Sequence, residues 1–128
     1  MRSEPSAYGR RSTTGSDHCS RPLHISILNL REGGQVGREL EVEVLCFIPI
    51  ERLQAWVFST RTGWWYPQAP FWRNNAILIS ACRFGDDMAR PGETFGFCIT
   101  EMAQSLHGPL SMLPPDVPKT NVLAVIRQ

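Results

Sequence analysis

The sequence predicts an all-β fold in which about seven short strands pack as an antiparallel sandwich or barrel. Three observations support this prediction. Apolar and polar residues alternate in several short stretches, turn residues recur about every 8 to 12 positions, and no strand–helix–strand order is visible. With 128 residues, of which 42% are hydrophobic and 20% charged, the chain has the size and composition of one globular domain.

Two regions of different composition divide the chain. Residues 1–21 are rich in Ser, Thr and Gly and contain almost nothing to bury, so we expect a disordered tail. Residues 22–128 then form the folded domain. Neither a secretory signal nor a run of ~20 apolar residues is found, and we therefore expect a cytoplasmic protein that does not bind a membrane.

Short runs with a two-residue period place the strands along the chain. In order, they are residues 24–30, 38–48, 53–60, 76–84, 93–102 and 120–127. The segment WWYPQ at 64–68 is either a further strand or a bulky loop. Ile25 and Ile27 share one face of the first strand, and EGGQVG at 32–37 is predicted to be a turn. The segment EMAQSLHG at 101–108 is predicted to form one short helix before the last strand.

The strand at 38–48 has the clearest pattern. Glutamates alternate with apolar residues, so that one face is solvated and the other is buried. The glutamates are Glu39, Glu41 and Glu43, and the apolar residues are Leu40, Val42 and Val44. The same count turns Cys46 inward. A solvated sheet face is the simplest interpretation of the glutamate stripe, and a site for a cation or a basic partner is the alternative.

In two further strands, the residues on both faces support a prediction. The strand at 53–60 is apolar on both sides, which indicates a central position or an outer face that something covers. A homodimer formed through this outer face is one way to cover it. The strand at 93–102 turns Phe95, Phe97 and Ile99 to one side and Cys98 to the other.

The densest feature of the sequence is the aromatic run from Trp56 to Trp72, which holds all four tryptophans and is interrupted by glycine and proline. Three interpretations stay open: the rings fill the core, they form a surface for a protein partner, or they form a platform that stacks on sugars. Because adjacent Trp64 and Trp65 point to opposite faces of a strand, at least one should be exposed or cover an edge. The predicted binding residues are Arg61, Trp64, Trp65, Tyr66, Trp72 and Arg73.

Several short motifs follow one another along the domain. They are Leu53 with Trp56-Val57-Phe58, then Trp65-Tyr66-Pro67-Gln68, Arg83-Phe84-Gly85, Gly92-x-x-Phe95 with Ile99, and Leu113-Pro114-Pro115. In their order and spacing, residues 23–127 resemble a small immunoglobulin-like β-sandwich module found in many bacterial proteins. The resemblance implies an antiparallel immunoglobulin-like sandwich with a non-catalytic role in a larger or multi-component system. The strand that begins at residue 76 departs from that family because it lacks a tryptophan at its start.

The four cysteines are Cys19, Cys46, Cys82 and Cys98. They form no C-x-x-C pair, which disfavours a zinc site and favours free thiols. Antibody-type domains carry a cysteine, a core tryptophan and a second cysteine in the order of Cys46, Trp56 and Cys98, and their cysteines bridge the two sheets. Since Cys98 is expected to face outward, the alternation argues against this bridge unless a bulge at Gly96 reverses the face.

No residue pattern indicates catalysis. The sequence has no G-x-S-x-G, P-loop or G-x-G-x-x-G motif, its three histidines are far apart, and Asp86-Asp87 is most simply a turn. We therefore expect no enzyme activity, metal or cofactor, and the net charge of +1 gives no general attraction to nucleic acid. The predicted function is a protein-interaction or accessory module whose aromatic run binds another protein or a domain of a larger assembly. The alternative is a carbohydrate-binding β-sandwich module.

Overall fold

A computed structural model describes residues 23–86, 88–104 and 106–128, over which the chain forms two β-sheets. The predicted tail at 1–21 lies outside the described residues. The strands within them are β1 Ser26–Ile27, β2 Gln35–Val36, β3 Glu39–Leu45, β4 Leu53–Ser59, β5 Trp64–Pro67, β6 Trp72–Asn74, β7 Ile77–Arg83, β8 Thr94–Glu101 and β9 Leu123–Arg127. The predicted all-β class is confirmed, with more strands than the expected seven.

The strands are arranged in a four-stranded sheet of order β1-β3-β7-β6 and a five-stranded sheet of order β2-β9-β8-β4-β5. All neighbours are antiparallel except β2 and β9, which run parallel with Gln35 opposite Ile126. The prediction that 32–37 is only a turn is therefore wrong. Gly33, at φ 76, makes the turn and donates its N–H to Ala124 O at 2.7 Å, which holds the following residues against the last strand.

The main core lies between the two sheets and follows the predicted alternation. In β3, Val42 and Val44 are fully buried while Glu39 and Glu41 are exposed. Inward residues of β8 meet them from the other sheet, and their exposed fractions are Phe95 1%, Phe97 0% and Ile99 0%. Partly buried apolar residues close the edges of this core, namely Ile25, Ile27, Leu40, Cys46, Ile48, Ile50, Ala89 and Leu123.

A second, smaller core covers the outer side of the five-stranded sheet. Trp56 on β4 and Cys98 on β8 are opposite one another in the register and both are fully buried. The chain between β8 and β9 folds back over them and contributes Met102, Leu106, Leu110 and Leu113. The covered outer face predicted for β4 is thus confirmed, and the chain itself supplies the cover. Because this face is covered, it offers no open surface for a homodimer, and a homodimer would have to form through a different surface.

The segment that forms this cover is not the predicted helix. Strand β8 continues to Glu101, and the N–H of Met102 donates to Arg52 O at 2.8 Å, so the chain leaves the sheet in an extended form. The described residues between 102 and 122 contain no helix. The physical reason is that burying Leu106 and Leu110 against the sheet lowers the free energy more than forming one isolated helical turn would. A 3-10 turn at Ile50–Arg52 is the helical element of the described residues.

The cysteines of the described residues are all free thiols. Cys46 and Cys98 therefore form no bridge, as the alternation predicts, and Cys98 faces away from the main core into the second one. Burial raises the pKa of Cys82 to about 12, although a hydrogen bond with Ser80 acts in the opposite direction. Burial also raises the pKa of Cys98. Cys46 is half-buried at the edge of the main core.

These environments predict a strong order of thiol reactivity. Because the thiolate is the reactive form, we expect Cys46 to react with iodoacetamide at pH 8 at least about a hundred times faster than Cys82 or Cys98. Mass spectrometry of the labelled peptides measures the three rates, and unfolding in urea should make them similar. Equal rates in the folded chain would contradict the buried positions.

The raised pKa of Cys82 also predicts that stability depends on pH. Because unfolding returns this thiol to its ordinary pKa of 9.0, the free energy of unfolding should fall as the pH rises from 9.0 towards about 12.

Candidate functional site

The aromatic run is divided between the two sheets. Strand β5, Trp64–Pro67, is an edge of the five-stranded sheet, and β6, Trp72–Asn74, is an edge of the four-stranded sheet. Gln68 fixes the crossing between them: its side-chain amide donates to Tyr66 O at 2.9 Å, and its Oε1 accepts the N–H of Arg83 at 2.7 Å. Residues of the run consequently face three different surfaces.

Trp64 and Trp65 lie on opposite sides of β5, as their adjacency predicts. Trp65 is opposite Phe58 in the register, and the two rings pack with their centroids 5.1 Å apart. The backbones of Trp65 and Leu110 exchange two hydrogen bonds of 2.8 and 2.9 Å, so Trp65 belongs to the second core. Trp64 keeps 43% of its surface exposed. The run is both core and surface, since Trp56 and Phe71 are buried as well.

Trp72 lies on the outer side of the four-stranded sheet. It is opposite Ile79 of β7, which is in turn opposite Glu43 of β3. The N–H of Leu28 donates to Glu43 O at 2.8 Å, which places Leu28 beyond the end of β1 in the same row. Leu28 and Trp72 are each 46% exposed, and Leu45 on the same side of β3 is 41% exposed. We call the outer side of this sheet, with Leu28, Leu45, Trp72, Ile79 and the three glutamates of β3, the glutamate face.

A cleft of about 870 Å³ opens between the two sheets beside the turn that joins β4 and β5. Its lining is Glu39, Leu40, Glu41, Val57, Ser59, Arg61, Thr62, Tyr66, Pro67, Gln68, Ala69, Ala81, Arg83, Gly85, Asp86 and Phe95. Arg61 lies at its polar end, with its guanidinium 3.4 Å from Asp86 Oδ1 and 3.6 Å from Glu93 Oε1. The Tyr66 hydroxyl donates to Thr62 Oγ1 at 3.0 Å. The charges of the lining therefore neutralise one another in large part.

The structure does not bring the six predicted binding residues together. Arg61 and Tyr66 line the cleft, Trp64 is exposed on the same hairpin, and Trp65 is on the opposite side of the sheet. Trp72 and exposed Arg73 lie on the edge of the other sheet. Sequence reasoning missed Leu28 and Leu45. Leu45 had a signal, because it occupies the next outward position after Glu39, Glu41 and Glu43.

Within the described residues, no three His, Cys, Asp or Glu side chains are close enough together to hold a metal ion. No helix in the described part of the chain is long and apolar enough to cross a membrane. Comparisons of the chain with models of protein families, with curated proteins and with solved structures find no match.

Proposed function

We propose that the domain is an immunoglobulin-like sandwich that acts as a non-enzymatic protein-interaction module. Strand order supports the first part. The order β1-β3-β7-β6 corresponds to strands A, B, E and D of an immunoglobulin sandwich, and β9-β8-β4 corresponds to G, F and C. Trp56 lies on the strand that carries the core tryptophan of those domains. Trp56 differs from that core tryptophan because its ring lies in the second core and not between the sheets.

The observation that carries the interaction role is the exposure of Trp72. Trp72 is 46% exposed on a strand that is paired with β7, so the ring projects from a hydrogen-bonded strand. Tryptophan and arginine dominate the energetics of protein interfaces. Trp64, 43% exposed on the neighbouring hairpin, is a second anchor of the same kind, and Arg61 and Arg73 flank the pair in the sequence.

The chemistry of the thiols supports a role without catalysis and a reducing compartment. Burial keeps Cys82 and Cys98 protonated, which is the opposite of what a nucleophilic cysteine needs. Free cysteines are typical of proteins in reducing compartments, and we therefore place the protein in the cytoplasm. The binding partner we propose is another protein or a domain of a larger assembly.

Partner capture tests this function. The full chain carries an affinity tag, and proteins crosslinked to it in cells are compared between wild type, Trp72→Ser, Trp64→Ser and Met112→Ser. We expect at least one tryptophan variant to weaken capture by about tenfold or more, the usual effect of losing an interface hot spot. Met112 is 61% exposed but lies in the segment that covers the outer side of the five-stranded sheet, and Trp64 points to the opposite side of that sheet from Trp65, which this segment covers. The Met112 variant is therefore the matched control and should bind normally.

Two results would overturn the proposal. The first is capture that neither Trp72→Ser nor Trp64→Ser weakens, because the exposed tryptophans would then have no part in binding. The second is saturable binding on a glycan array that Trp64→Ser or Trp72→Ser abolishes, which would make the domain a carbohydrate-binding module. Thermal unfolding of each variant shows whether the fold is intact before binding is compared.

A further inference from the structure

The two sheets differ in what covers their outer sides. The chain itself covers the outer side of the five-stranded sheet, where Trp56 and Cys98 are fully buried. On the glutamate face, in contrast, Leu28, Leu45 and Trp72 each keep between 41% and 46% of their surface exposed. Trp72 lies beside Ile79, which is 5% exposed, and Leu28 is at the far end of the same row across the sheet, beyond Glu43. An exposed apolar area on a rigid sheet is a typical interaction surface.

The charge of this face is negative and only partly neutralised. Glu39 is paired with Arg83, with 3.3 Å between carboxylate and guanidinium. Glu41 and Glu43 form no ion pair with any described residue, and both lie on the same strand as exposed Leu45. Glu43 stands in the row between Leu28 and Ile79, which places a carboxylate in the middle of the apolar side chains. A partner must bring positive charge there, because burying a carboxylate without an opposite charge is strongly unfavourable.

We propose that the glutamate face binds a protein segment in which basic side chains alternate with apolar ones. The inference rests on the proposed interaction function and adds the surface and the chemistry of the partner. Apolar groups of the segment pack on Trp72 and Leu45, while its lysine or arginine side chains pair with Glu41 and Glu43. Charge complementarity of this kind sets which partners are accepted and how quickly they associate.

Two other occupants fit the face less well. A second copy of the chain would bring Glu41 and Glu43 against the same carboxylates, and like charges at an interface are repelled. Residues 1–21 carry four arginines against two acidic residues, but they contain almost no large apolar side chain to lie on Trp72. A separate basic and apolar segment matches both properties of the face.

Labelled peptides test the partner chemistry on the full chain. Three dodecamers are used, with alternating Leu-Arg, Leu-Glu and Ser-Arg sequences, and fluorescence anisotropy measures their binding. We expect the Leu-Arg peptide to bind at least about tenfold more tightly than the other two. Trp72→Ser should weaken its binding by about tenfold, and the double variant Glu41→Gln/Glu43→Gln should weaken it several-fold and reduce its dependence on salt.

Met112→Ser is the matched control, since it removes an exposed apolar side chain from the cover of the five-stranded sheet and should leave peptide binding unchanged. Equal binding of the three peptides, or Leu-Arg binding that Trp72→Ser and the Glu→Gln pair do not weaken, overturns the inference. So does a dimer that Trp72→Ser dissociates, because a second copy would then be the occupant. Tighter peptide binding after the four tail arginines are changed to glutamine would instead identify the tail as the occupant.

The two proposals fail in different ways. Partner capture that depends on Trp64 and not on Trp72 overturns the inference about the glutamate face and leaves the interaction function standing. Capture that depends on neither tryptophan overturns both.

Discussion

Replacing Trp56 with alanine is expected to lower the free energy of unfolding by about 3–5 kcal/mol, the usual cost of removing a fully buried aromatic side chain. The indole is 0% exposed beneath the cover that Met102, Leu106, Leu110 and Leu113 form, and its N–H donates to Thr100 Oγ1 at 3.0 Å. Thr100 is itself buried and donates to Gln54 O at 3.4 Å. The variant therefore leaves a cavity and also a hydroxyl that has lost one partner.

Urea unfolding followed by far-UV circular dichroism measures this effect, because that signal does not depend on the tryptophan removed. Trp64→Ala is the control and should cost about 1 kcal/mol or less, since its side chain is 43% exposed. A double-mutant cycle with Trp56→Phe and Thr100→Val isolates the hydrogen bond, which we expect to contribute about 1 kcal/mol. A loss for Trp56→Ala no greater than that for Trp64→Ala would mean that the cover does not hold the ring in a closed core.

Strand β4 shows how far the sequence leads and where it stops. Two apolar faces predict a central strand with a covered outer side, and the burial of Trp56 confirms it. The sequence does not reveal the cover, because residues 109–122 have neither the 3.6-residue nor the two-residue period of a regular element. Contacts with residues distant in the sequence place Leu106 and Leu110 in the cover. These tertiary contacts override the local preference from which a helix over 101–108 is predicted.

The placement of the aromatic run could likewise be predicted only in part. The opposite directions of Trp64 and Trp65 follow from strand geometry alone and could be predicted. The position of Trp72 in the other sheet could not be predicted, because the crossing depends on hydrogen bonds of Gln68, one of which it accepts from the N–H of Arg83, fifteen positions away. The two-residue strand β2 is likewise too short to produce a period and is identified only by its pairing with β9.

Replacing Gly85 with alanine is expected to lower the free energy of unfolding by about 2–4 kcal/mol, through two separate effects. Gly85 has φ 90, a conformation that residues with a Cβ rarely adopt. An added Cβ would also lie 2.6 Å from Cβ of Ala89 and 2.9 Å from Cζ of Phe95. Phe95 is 1% exposed in the core between the sheets, so it has little space into which to move.

Gly92→Ala separates the two effects. Gly92 has nearly the same backbone conformation, with φ 93, but an added Cβ there would meet nothing within 4 Å. Its substitution should therefore cost only the backbone strain, about 1–2 kcal/mol, and the excess for Gly85→Ala measures the clash. Adding Ala89→Gly to Gly85→Ala removes the shorter contact and should recover part of the loss. Equal losses for the two glycine variants, measured by urea unfolding, would show that the loop between β7 and β8 moves away from Phe95 at little cost. In that case the polar end of the cleft, where Asp86 meets Arg61, would be an adaptable boundary between the sheets.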